Sequence, residues 1–198
     1  MHYDRFTRFI HIFLAIGISA QLAISLVMIH PKPGRLGDLF YEIHEYLGLA
    51  LLGFVILHWA WAGIRRGKIP FTQLFPWLTP SRYRPLMEDA QRYAGHMTQL
   101  RLPPESGSPS PLANAIQGLG LATALLLGAS GLLLFLNAPA EGARMTGWLH
   151  DVKEVHEVFG SVLWVYLCAH AGMGVLHQLS GHGSIRDMFF FWKKSGNS

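Results

Sequence analysis

The chain has 198 residues, of which 51% are apolar and only 14% charged, about half the charged share of an average soluble domain. That balance argues against a soluble globule and against disorder. A single cysteine excludes a disulfide framework or a cluster held by several thiolates, and without a CxxCH motif covalent c-type haem attachment is excluded too.

A bilayer core asks for about 20 predominantly apolar residues per helix. The first such run covers residues 9–29, broken only by His11, Ser19, Gln21 and Ser25. It leads into His30-Pro31-Lys32-Pro33-Gly34-Arg35 and not into a small-residue cleavage site, so a retained helix is expected and not a signal peptide. The second run, 46–64, contains His58. A long connection follows over 65–111. Its residues 69–80 alternate prolines with aromatics and are expected at the membrane interface; 83–98 have the pattern of a short amphipathic helix; 103–111 read as a linker. The third run spans 112–136, and the fourth, 158–179, contains Cys168, His170 and His177. The predicted fold is all-α: an integral membrane four-helix bundle, a single membrane domain over residues 1–198.

Basic residues orient such a bundle, because Lys and Arg accumulate on the cytoplasmic side. Twelve of the 16 lie in the N-terminus, the 65–111 connection and the tail, leaving Lys32, Arg35, Arg144 and Lys153 for the other two loops. Both termini and the long connection are therefore expected in the cytoplasm. The opposite face gathers Asp38, Glu42, Glu45, Glu141, Asp151, Glu154 and Glu157. The net charge of +4 is thereby explained by topology, and nucleic-acid binding has no support.

Eleven histidines are present, and four of them repeat a pattern. His44-Glu45-Tyr46-Leu47-Gly48 is followed by His58, and His156-Glu157-Val158-Phe159-Gly160 by His170, each pair 14 residues apart. Two heptads keep both histidines of a pair on one face, about 21 Å apart along the axis. The second and fourth spans run in the same direction, so first histidines lie level with each other and second histidines level with each other. Histidine in hydrocarbon is costly and marks function. Two facing imidazoles at each level suit haem iron held from two helices, a six-coordinate arrangement for electron transfer. Gly48 and Gly160, one turn after their histidines, leave room for a flat macrocycle. A zinc site is the competitor, but it wants four ligands. Two histidines per level would need Glu45, Glu154 and Glu157 to complete an outer site, and metal-ion transport would then be the function.

Arg8-Phe9-Ile10-His11, His44 with Gly48, and His156 with His170 together make the chain resemble the prokaryotic cytochrome b561 family, which includes the cytochrome b subunits of formate dehydrogenases and nickel-iron hydrogenases. Gly183-Ser184-Ile185-Arg186-Asp187-Met188 is similar to the ending of the formate dehydrogenase subunit. The resemblance implies two non-covalent haem b groups in the bacterial inner membrane, one held by His44 and His156 towards the outside, the other by His11 and His170 towards the cytoplasm. Spacing alone prefers His58 as the inner ligand, at a position where much of the family has arginine. The resemblance also implies a quinone near the inner haem, with Arg5, Arg8, His58, Arg65 and His177 as candidates to contact it or a haem propionate. The implied function moves electrons between a periplasmic-side donor, a partner redox protein or subunit, and the quinone pool. The alternative within the family is a stand-alone superoxide:quinone oxidoreductase. Expected partners are the membrane, a quinone and a periplasmic or membrane-bound redox protein, with a homodimer as a further option. Cys168 is expected to be a small packing residue.

Overall fold

The computed structural model describes residues 5–64, 71–97, 102–103, 110–139, 143–181, 185 and 189. Within them run α1 (Arg5–Ser25), α2 (Leu39–Ile64), α3 (Phe71–Leu74), a 3-10 turn (Pro76–Leu78), α4 (Pro80–Met97), α5 (Pro111–Asn137) and α6 (Trp148–Leu179). α1, α2, α5 and α6 are long and apolar enough to cross a membrane. Among the described residues the only β pairing is an isolated bridge between Lys32 and Arg35. The protein is an all-helical membrane bundle.

The helices begin where the backbone finds a cap, and so their ends depart from those of the apolar runs. Asp38 Oδ1 accepts the Tyr41 N–H and the Ile29 N–H, both at 3.0 Å, starting α2 seven residues ahead of its apolar run. The chain between α1 and α2 reverses at Lys32-Pro33-Gly34-Arg35, where Lys32 and Arg35 exchange backbone hydrogen bonds of 2.8 and 2.9 Å. Gly34 takes φ +74° there, the positive value that a Pro-Gly turn requires. Ser110 Oγ accepts the Ala113 N–H at 3.1 Å with Pro111 in the first turn, which ends the linker and starts α5. α6 begins at Trp148, ten residues before its apolar run.

α1 packs on α2, α2 on α5 and α5 on α6, while α6 only grazes α1 and α2. Ile10 and Leu14 of α1 meet Leu51 and Val55 of α2 in the buried core. Small residues let the backbones approach: Gly17 faces Leu51, Gly128 faces Leu52, and Gly120 lies against the Tyr166 ring. Gly118 takes the Leu74 carbonyl directly against its backbone, and this contact docks α3 on α5.

The two ends of the bundle differ in construction. At the short-loop end, residues 26–38 connect α1 to α2 and residues 138–147 connect α5 to α6. The long-loop end carries α3, the 3-10 turn and α4, which starts three residues earlier than the sequence pattern indicates. A buried carboxylate fastens this cover. Asp89 on α4 accepts from Ser110 Oγ, from the Leu112 N–H at 3.1 Å and from Arg92 at 2.6 Å. Burial pushes the Asp89 carboxyl up, but these hydrogen bonds and the Arg92 charge outweigh it and hold it below the usual carboxylate value.

Candidate functional site

At the short-loop end, α2 presents His44 in its second turn and α6 presents His156 in its third. Their ring centroids are 6.3 Å apart, with the rings at 79°. Each histidine is backed by a neighbouring helix. Ser130 of α5 places its Oγ 2.9 Å from His156 Nδ1, and a Cβ on Gly131 would come within 3.3 Å of the same ring. Gln21 of α1 donates from Nε2 to the His44 carbonyl at 2.7 Å. The same amide lies 3.0 Å from where a Gly48 Cβ would be, whereas nothing lies within 4 Å of that point on Gly160. The two glycines of the repeat thus have different surroundings: Gly48 is packed by Gln21, and Gly160 faces open space.

At the long-loop end, His11 of α1 and His170 of α6 come together with centroids again 6.3 Å apart and rings at 53°. Tyr166, one turn before His170, stacks on it at 5.5 Å and 11°. Phe189 meets the edge of His11 at 5.9 Å. His58, on α2 at the same end, makes no ring contact with another histidine among the described residues. The Nδ1 atoms of His11, His44 and His58 are buried without a hydrogen bond. These polar rings sit in an apolar interior with coordinating capacity unused by the protein itself.

The remaining sequence candidates scatter over the long-loop end. Arg5 is exposed, Arg8 and His177 are half-buried, and Arg65 lies outside the described residues, as does most of 183–188. Cys168 is a free, exposed thiol and not the packing residue expected. The carboxylates that a zinc site at the short-loop end would need do not converge. Glu154 turns to His150 at 3.7 Å and Glu157 to Lys153 at 2.5 Å, each along its own helix. No group of three or more His, Cys, Asp or Glu among the described residues is arranged to hold a metal ion.

Ser130, Gly131, Gln21 and Tyr166 escaped the sequence reading. A signal for Ser130 was present: Thr123 and Ser130, both buried, stand one heptad apart on an otherwise glycine- and leucine-rich helix and so share a face.

Four apolar helices thus carry two histidine pairs inside a multi-pass membrane bundle, one near each end. The chain belongs to the prokaryotic cytochrome b561 family, whose model matches residues 2–191. No individual curated protein and no solved structure matches it. Membership makes the chain a b-type cytochrome of membrane electron transfer that binds haem b. The residues present fit such a group. Two imidazoles on opposite sides of one metal ion, each at about 2 Å from it, have ring centres roughly 6 Å apart, close to the 6.3 Å seen in both pairs. α6 stands off from α1 and α2, so the paired rings are what bridge the distance between them.

Proposed function

We propose that the protein is a di-haem cytochrome carrying electrons across the bacterial inner membrane, from a redox protein on the periplasmic side to the quinone pool. His44 and His156 would hold one haem b, and His11 and His170 the other. The observation that carries this reading is the equal 6.3 Å spacing of the two pairs, each reaching from α6 to a different helix. A haem held by these histidines would supply one-electron transfer and not substrate binding at the metal.

The rest of the work falls to the chain's own residues. The apolar core of Ile10, Leu14, Leu51 and Val55 between α1 and α2 lowers the local dielectric, which strengthens electrostatic effects beside it. Basic residues concentrate at the long-loop end, which supports a cytoplasmic side for that end and both termini. The acidic residues Glu42, Asp151, Glu154 and Glu157 are exposed at the other end. They favour a partner with a basic docking face, and they repel small anions, which supports a protein donor over superoxide. Arg8, His58 and His177, half-buried at the long-loop end, are the side chains proposed to position a quinone headgroup there, with Arg5 and Arg65 at the rim.

The test is a haem count with spectra. Purified chain should give about two haem b per polypeptide by pyridine haemochrome, a low-spin reduced spectrum, and reduction by a quinol. One haem per chain would remove the transmembrane route. None under haem-replete expression would remove the reading altogether.

A further inference from the structure

The partners of Ser130 constrain where its proton goes. Its Oγ lies 2.8 Å from the Leu126 carbonyl and 3.0 Å from the Leu127 carbonyl, and a hydroxyl has one hydrogen. Carbonyl oxygens only accept, and a buried helical serine this close to two of them commonly gives its proton to its own helix, the assignment adopted for Ser130. The third contact, His156 Nδ1 at 2.9 Å, is then a bond in which the ring donates and Ser130 accepts, with the Leu127 carbonyl a second acceptor within reach of the same ring. A neutral imidazole protonated at Nδ1 carries its free lone pair on Nε2.

His156 differs in this from His11 and His44. Nδ1 of His11 and of His44 is buried without a hydrogen bond. Ser130 is itself buried, so water does not compete for the contact. Gly131 leaves the ring its place, because a side chain there would press on Cε1.

We propose that Ser130 is a positioning residue: it fixes the Nδ1–H tautomer and ring angle of His156, so that Nε2 is presented as a strong donor to the haem at the short-loop end. The inference rests on the di-haem reading above. An acceptor on the far nitrogen raises the basicity of a ligating histidine, and a more basic ligand stabilises ferric over ferrous iron. Ser130 thus holds the potential of that one haem down.

The experiment is a redox titration of the full-length wild type and of Ser130→Ala, Ser130→Cys and Ser130→Thr in detergent, each with a haem count. His44→Ala and His11→Ala assign the two potentials. In Ser130→Ala one potential should rise, by roughly the tenfold change in equilibrium that losing such a partner brings, or about 59 mV for one electron. It should be the potential that His44→Ala abolishes. Ser130→Thr, which keeps the hydroxyl, should restore it. Ser130→Cys, nearly the same size but a poor acceptor, should shift like alanine and provides the comparison if the alanine variant does not accumulate. Two haems with both potentials unmoved in the alanine and cysteine variants would overturn the role of Ser130 while leaving the di-haem reading intact. A shift in the haem lost with His11 would overturn it equally. A wild type with fewer than two haems would instead fail the reading beneath it.

Discussion

The two ends of the bundle hold histidine pairs of the same spacing in unlike surroundings. At the short-loop end both histidines are tied by hydrogen bonds from a third or fourth helix, through Ser130 to His156 and through Gln21 to the His44 carbonyl. At the long-loop end the ties are aromatic: Tyr166 lies flat on His170 and Phe189 meets His11 edge-on, with a third histidine, His58, nearby. A directional bond to a ring nitrogen sets a tautomer and an angle, whereas a stacked ring limits rotation and leaves the nitrogens uncommitted. The first arrangement suits a site whose properties are set by the fold. The second leaves its polar neighbours available to a ligand arriving from the membrane.

The largest effects should come from breaking the pairs one at a time. His44→Ala or His156→Ala should cost one haem per chain, and His11→Ala or His170→Ala the other, read by pyridine haemochrome. His58→Ala should keep both; a loss there would move the ligand from α1 to α2 and undo the equivalence of the two ends. Next comes the cover that only the long-loop end has. Gly118→Ala drives a methyl into the Leu74 carbonyl and should cost about 1–3 kcal/mol by overpacking, seen as earlier thermal unfolding in detergent.

Asp89→Asn should destabilise the same cover by about 1–3 kcal/mol, the penalty for compromising a buried hydrogen-bonded group. Because the folded carboxyl sits below its unfolded value, its contribution is complete above the unfolded value and is lost as the pH falls through the folded one. Wild type and Asp89→Asn should therefore converge in stability under acid and diverge towards neutral pH; parallel curves would remove the carboxylate from the account. The smallest effect is at the stack: Tyr166→Leu should cost about 0.5–1.5 kcal/mol and alter the spectrum of the long-loop-end haem alone. If both haems responded, the distinction between the ends would not survive.

The four membrane helices were legible because burial in lipid leaves a composition signal that needs no partner: 20 or more residues must be apolar wherever the neighbours are. His44, His156 and His170 were legible because they break that rule at a repeated interval; the same interval pointed to His58, and only the family resemblance pointed to His11, which stands outside the repeat. The exact helix ends were not, since Asp38 starts α2 with hydrogen bonds to residues on both sides of it in the chain, a matter of loop geometry. α3 is four residues long, too short to show a period. The groups behind the histidines were hidden for a different reason. A serine or glutamine in a membrane helix reads as a tolerated polar residue that satisfies itself on its own backbone; only the packing of α5 on α6 and of α1 on α2 shows that Ser130 and Gln21 also reach a histidine segment. Gly48 and Gly160 looked equivalent in the repeat, yet Gln21 fills the space beside one and nothing fills it beside the other.

α6 runs unbroken for 32 residues and carries one histidine of each pair. A continuous helix behaves as a ruler: its rise per residue fixes how far His156 lies from His170 whatever happens in the loops or in the contacts of α1 and α2. Electron hopping weakens steeply with separation, so the quantity to which transfer between the ends would be most sensitive is assigned to the one element least able to stretch. Tilting α6 or loosening its neighbours would carry both rings along together, changing the partners they meet and leaving the gap between them as it was.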